Sequence, residues 1–351
     1  MKKLFLSLSL LACLAMFNAC STDVELYADY KDIPVIYGLL DASQDTNFIR
    51  INRAFSGNNS NPINANEVAL IADSCNYPDK LEARLVEYIS TYGNSYDTTG
   101  KVFELDTMTI HFKEEGTFYA PDQKVYWTNE RLSDNANGKK YKYKLFVRKG
   151  NDTITAETNI VGGSDFKVIN SGLGFSSSPS NNMSRINFKG ADNAVFYDVK
   201  IAFYYSESIN GSPFVDKEVT YAFGAKNIDE LDKDGEIYYY TYSENLLFNL
   251  LESAIGSDTV VDANHPNVVR HFRNIENNKP MEIFVSAGGD ELYNYIQVNS
   301  QSGMSQTVPD YTNVSGGYGV FSSRLNISKA VTISSRTQTD IYAKPWGFVQ
   351  Q

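Results

Sequence analysis

The sequence predicts a mainly β protein with two β-sandwich domains, one over 33–161 and one over 165–351, behind a leader and a short tether. Three observations carry this. Short runs rich in Val, Ile, Tyr, Phe and Thr, many of them alternating with polar residues, recur from residue 33 onward with turn clusters between them. The Gly162-Gly163 pair and the Gly/Ser/Pro/Asn-rich stretch 171–182 mark a junction near the middle of the chain. With 351 residues, 42% hydrophobic and 21% charged, the chain is long enough for two cores and has a globular composition.

The first twenty residues, MKKLFLSLSLLACLAMFNAC, have basic Lys2 and Lys3, an apolar run from Leu4 to Phe17, small Ala19 and then Cys20. This is the layout of a bacterial lipoprotein signal, with 1–19 removed and lipid attached at Cys20. A transmembrane helix needs about 20 apolar residues, and this run is shorter and broken by Ser7, Ser9 and Asn18. The polar stretch 20–32 reads as a tether. Removal of the two lysines takes the net charge from −11 to −13, an acidic balance that disfavours nucleic acid as a partner. Of Cys13, Cys20 and Cys75, only Cys75 would remain as a thiol, so no intramolecular disulfide is expected.

Seven runs between 33 and 161 predict an immunoglobulin-like antiparallel sandwich: IPVIYGLL, NFIRINRAF, LEARLVEYI, KVFELDTMTIHF, KVYWTNERL, KYKYKLFVRKG and DTITAETNIV. In KYKYKLFV, Tyr141, Tyr143 and Leu145 share one face and Lys142 and Lys144 the other, as in a sheet with one packed and one wet side. Residues 66–71 fit either a helical turn or a strand. In the second half, FKVI is a short strand. MSRINFKG and AVFYDVKIAFYYSE, parted by a turn at 191–193, resemble the facing B and C strands of fibronectin type III domains. Helical insertions interrupt this domain. In SENLLFNLLESAIG, Leu246, Leu247, Leu250, Leu251 and Ala254 recur at helical spacing between a Ser243 cap and Gly256. A second helix is expected in GDELYNYIQV, before a return to strand in VSGGYGVFSSRLNISKAVTI.

Chemistry-bearing motifs are few. Glu230, Asp232, Asp234, Gly235 and Ile237 fall at calcium-loop spacing, but Thr241 stands where a bidentate Glu belongs, so a solvated Asp-Gly hairpin competes with a metal loop. Tyr238, Tyr240 and Tyr242 share a strand face that serves either as a stacking platform for sugar rings or as packing. His111, His265 and His271 lack metal-ligand spacing, no Gly-x-Ser-x-Gly elbow occurs, and Ser164-x-x-Lys167 lacks its companion motifs. A non-catalytic protein without cofactor is expected. The tripeptides at 97–99, 106–108, 152–154 and 258–260 match a short acceptor pattern for O-glycosylation of exported bacterial proteins.

The leader, VIYGLLDASQDTNFIRINRAF, VSAGGDELYNYIQVNSQ and NVSGGYGVFSSRL together resemble a family of uncharacterised Bacteroidota lipoproteins often encoded beside TonB-dependent outer-membrane receptors. The resemblance implies no catalytic residues. It implies an outer-membrane address, on the periplasmic side or at the cell surface, and a role as accessory or ligand-binding partner of such a receptor. A glycan-binding surface protein and a fimbria-like structural subunit are the alternative expectations.

Overall fold

The computed structural model describes residues 32–54, 69–91, 95–111, 113–116, 119–178, 182–255, 267–301 and 311–350. The leader, Cys20, Gly256, His265 and the 258–260 tripeptide lie outside them, as do all of the tether but Asp32 and residues 66–68 of the ambiguous 66–71 stretch. Strand accounts for 53% and helix for 12%, so the protein is mainly β. Among the described residues no helix is long and apolar enough to cross a membrane.

Strands β1 (Pro34–Leu40) and β2 (Asn47–Arg53) form an antiparallel pair with Ile36 opposite Ile51. Their alternate residues Ile36, Leu40, Ile49 and Ile51 are buried, the period-2 signature of a sheet packed on one face. A single helical turn, α1 (Ala72–Cys75), precedes β3 (Glu82–Ser90), β4 (Asp97–Glu104), β5 (Asp106–Ile110), β6 (Gln123–Thr128), β7 (Lys140–Lys149) and β8 (Asp152–Asn159). The run expected as one strand from Lys101 is two. At buried Leu105, whose N–H donates to the Ala83 carbonyl, the chain leaves the four-stranded sheet β4-β3-β7-β8 and joins β6 in the opposing sheet. Tyr143, Leu145 and Val147 of β7 face the first core, with Leu85 and Phe103.

The second half contributes β9 (Lys167–Val168), β10 (Gly172–Leu173), β11 (Met183–Lys189), β12 (Phe196–Ile209), β13 (Val215–Asn227), β14 (Asp232–Asp234) and β15 (Ile237–Ser243). After helix α2 (Leu246–Ala254) come β16 (Val268–Phe272), β17 (Met281–Gly288), helix α3 (Asp290–Gln301), β18 (Tyr318–Ile333) and helix α4 (Ser335–Tyr342). Strands β11 and β12 lie in different sheets, and the Phe188 and Tyr197 rings meet across the core at 4.9 Å. Helix α2 buries Leu247, Phe248 and Leu251 in the same core. Helix α4 has no counterpart in the sequence reading; Ser334 caps it by accepting from the Thr337 N–H.

One ten-stranded sheet runs through both halves, in the order β13-β12-β17-β18-β1-β2-β6-β5, with β10 and β16 off the main path. The sheets β4-β3-β7-β8 and β14-β15-β11-β9 pack against it and enclose two separate apolar cores. Phe321, in the first core, and Leu325, Val331 and Ile333, in the second, are all odd-numbered residues of β18. Alternation therefore places both cores on one face of the large sheet. Helix α3 lies on the other face, where its Leu292 N–H donates to Ser322 Oγ and Tyr295 meets Tyr37.

The sequence reading assigns everything from 165 onward to the second domain, and the structure divides these residues differently. Val314 and Phe321 belong to the first core, and β1 pairs in parallel with the first part of β18, from Val35 opposite Tyr318 to Leu40 opposite Ser323. Glycine permits the approach. A Cβ on Gly319, at φ +112°, would stand 1.9 Å from the Ile36 carbonyl oxygen. Ser323 stitches the junction, donating to the Leu40 carbonyl and accepting from the Val161 N–H.

Candidate functional site

The outer face of the β1–β2 hairpin carries the candidate site. Because Ile36, Ile49 and Ile51 point inward, Val35, Tyr37, Arg50 and Asn52 point outward, and register sets Tyr37 opposite Arg50 and Val35 opposite Asn52. The Arg50 guanidinium consequently lies over the Tyr37 ring, 4.6 Å from its centroid. Tyr295 of α3 meets the same ring edge-on at 6.1 Å.

Two segments wall this face into a cavity of about 360 Å³. On one side is α1, held to the sheet by Asn52, whose amide nitrogen donates to the Cys75 carbonyl and to Asn76 Oδ1. The Arg53 guanidinium donates to the Asp73 carbonyl on the same turn. The opposite wall includes Lys113, Tyr119, Asp122 and Gln123. Lys113 Nζ donates to the Tyr119 carbonyl at 2.6 Å, and the Tyr119 N–H donates to the Ala69 carbonyl, tying the walls together. Cys75 also lines the cavity, its thiol directed to the Ala69 carbonyl.

The ionisable side chains lining the cavity include three cations, Arg50, Arg53 and Lys113, and one carboxylate, Asp122. That carboxylate is engaged by His111 Nδ1 at 2.8 Å. Among the described lining residues cations thus outnumber carboxylates, in a chain of net charge −11. A second cleft, of about 520 Å³, is lined by neutral groups that include Asn274, Asn278 and Gln338 around the stacked rings of Phe272 and Tyr342.

The residues singled out from sequence lie elsewhere. Asp232 and Asp234 are exposed on β14, paired with Tyr239 and Ile237 of β15, and Gly235 at φ +60° forms the turn. Glu230 precedes that hairpin, and no group of three His, Cys, Asp or Glu side chains able to hold a metal occurs among the described residues. The segment is an Asp-Gly hairpin because strand pairing spreads the carboxylates along the chain, whereas a calcium loop gathers them.

The tyrosine face is likewise not a platform. Tyr240 and Tyr242 are buried in the second core, Tyr240 donates to the Tyr197 carbonyl at 2.6 Å, and Tyr238 stacks on Phe188. Burial pushes the Tyr240 hydroxyl well above the ordinary tyrosine range, so it stays protonated. Thr98 and Thr153 of the Asp-Thr tripeptides are exposed and Thr107 is half-buried. Cys20 lies outside the described residues.

Sequence reasoning did not single out Arg50, Arg53 or Lys113. The available signal was the alternation in FIRIN, which sends Arg50 and Asn52 to the face opposite Ile49 and Ile51. No known family model matches the sequence, and no curated protein matches it significantly.

Proposed function

We propose that the protein is a lipid-anchored, non-catalytic accessory of a TonB-dependent receptor that holds a ligand in the cavity on the outer face of the β1–β2 hairpin. The observation that carries this reading is the cavity. Its walls are tied to each other and to a rigid sheet, and its lining groups are suited to binding: guanidinium, ammonium, amide and aromatic side chains, with its carboxylate already paired. The leader ending at Cys20 supports the membrane address, and the likeness of 35–55, 285–301 and 313–325 to receptor-linked lipoproteins supports the partner.

The test is affinity capture of the tagged protein from gently solubilised outer membranes. A TonB-dependent receptor should co-purify, and strains lacking either gene should share a nutrient-uptake defect. Absence of both, with hydrolysis of a glycan or peptide by the purified protein, would place it among enzymes. Glycan binding is the second reading. The neutral, amide-rich cleft beside Phe272 and Tyr342 favours it, since amides and half-buried aromatic rings suit an uncharged sugar.

A further inference from the structure

The β1–β2 cavity holds more unpaired hydrogen-bonding capacity than a covered sheet face needs. Among the described residues Arg50 has no carboxylate partner, only the Tyr37 ring, and its Nε is sealed from water without an acceptor. Arg53 gives one N–H to the Asp73 carbonyl, and its Nε is likewise unpartnered. The nearby carboxylate, Asp122, is engaged by His111. A partly buried guanidinium without a counter-charge is unfavourable, and its planar fork matches a carboxylate or phosphate through two parallel bonds.

The third orphan is an acceptor. Among the described residues Asn52 Oδ1 is buried without a donor, and the amide cannot be turned to relieve this because its nitrogen already serves Cys75 and Asn76. An acceptor beside two guanidinium groups calls for a ligand that brings an O–H as well as an anion. At about 360 Å³ the cavity lies near the lower end of the range for small-ligand sites, a size that suits one ring.

We propose that this cavity binds an acidic sugar: a single hydroxylated ring bearing a carboxylate or a phosphate. Arg50 is the principal contact to the anion, Arg53 and Lys113 add positive field, and Asn52 Oδ1, covered in the free protein, accepts from a ring hydroxyl once a side-chain movement uncovers it. The inference rests on the capture reading above and names its ligand class.

Calorimetric titration of the purified full chain in detergent tests it, with D-glucuronate, glucose 6-phosphate and glucose as probes. At least one acid should bind saturably and more weakly as salt is added, and glucose should not bind; the two acids separate carboxylate from phosphate. Arg50→Ala should weaken binding roughly tenfold or more, the size of one charge-assisted contact. Arg50→Lys, which keeps the charge but loses the fork, should fall between. If Arg50→Ala does not fold, Lys113→Gln serves instead. Glucose binding as tightly as the acids, or binding unchanged in these variants, overturns the acidic-sugar class and leaves capture standing. No binding of any probe while a receptor co-purifies overturns this inference alone; no binding and no receptor overturns both.

Discussion

Arg270 has a fully buried side chain, and what surrounds it explains how that is tolerated. Its guanidinium donates to Glu207 through Nε and Nη2 and to the Trp346 carbonyl, while its backbone pairs with Gly347 and Val349. The pair thereby fixes the segment after α4 against β16. Removing one member leaves the other buried and uncompensated, so Arg270→Ala should cost about 3–5 kcal/mol in urea unfolding, whereas replacing both members with apolar residues should cost far less. A second residue-scale expectation concerns Glu291. Burial holds its carboxyl above the ordinary glutamate value, against the opposing effect of hydrogen bonds from its own N–H, Ser322 and Thr158. A raised carboxyl means that the folded state binds the proton more tightly than the unfolded state. The contribution is therefore full below the unfolded value and is lost as pH rises through the folded one. The stability of Glu291→Gln relative to the native protein should increase across that window, as measured by denaturant unfolding at several pH values; a flat difference would remove the assignment.

Among the elements, β18 depends most on a single backbone position. Gly319→Ala would place a methyl group against the Ile36 carbonyl and hold a non-glycine residue at φ +112°. The backbone conformation alone should cost about 1–3 kcal/mol. The loss should show in tyrosine signals from both cores. Strands β1, β2, β3, β7 and β8 were legible in the sequence because each has one buried and one wet face, and alternation reports that directly. Strand β13 was not legible: nearly all its residues are exposed on the edge of the large sheet, so burial imposed no period on it. Helix α4 was missed because it is polar, burying only Thr337 and Ile341. The break at Leu105 escaped notice for a different reason. A strand that passes from one sheet to the other keeps β-rich composition on both sides of the bend. The cavity was half legible at most: the alternation in FIRIN carries the signal that Arg50 and Asn52 face away from Ile49 and Ile51, but nothing in it marks them as a site. Which polar face becomes walled depends on α1 and the segment after Lys113, and those contacts are long-range.

At the scale of the whole molecule the two cores are mechanically one object. Strand β18 gives Phe321 to the first core and Leu325 and Val331 to the second, so neither sandwich keeps its sheet if β18 is withdrawn. Urea unfolding followed by tyrosine fluorescence and by circular dichroism should accordingly give a single coincident transition, and two separated transitions would mean that the shared strand does not couple the halves. The same strand also sets an order of events for a chain delivered from its N-terminal end. Leu40 waits for Ser323, 283 residues later, before its carbonyl finds that partner. Until then the parallel-pairing edge of β1 is open, a template to which any passing strand could add. Such a high sequence separation makes closure slow and extends the interval in which aggregation competes with folding. The practical cost of joining two cores through one late strand is therefore temporal: the first half is synthesised early, completed last, and exposed to aggregation in between.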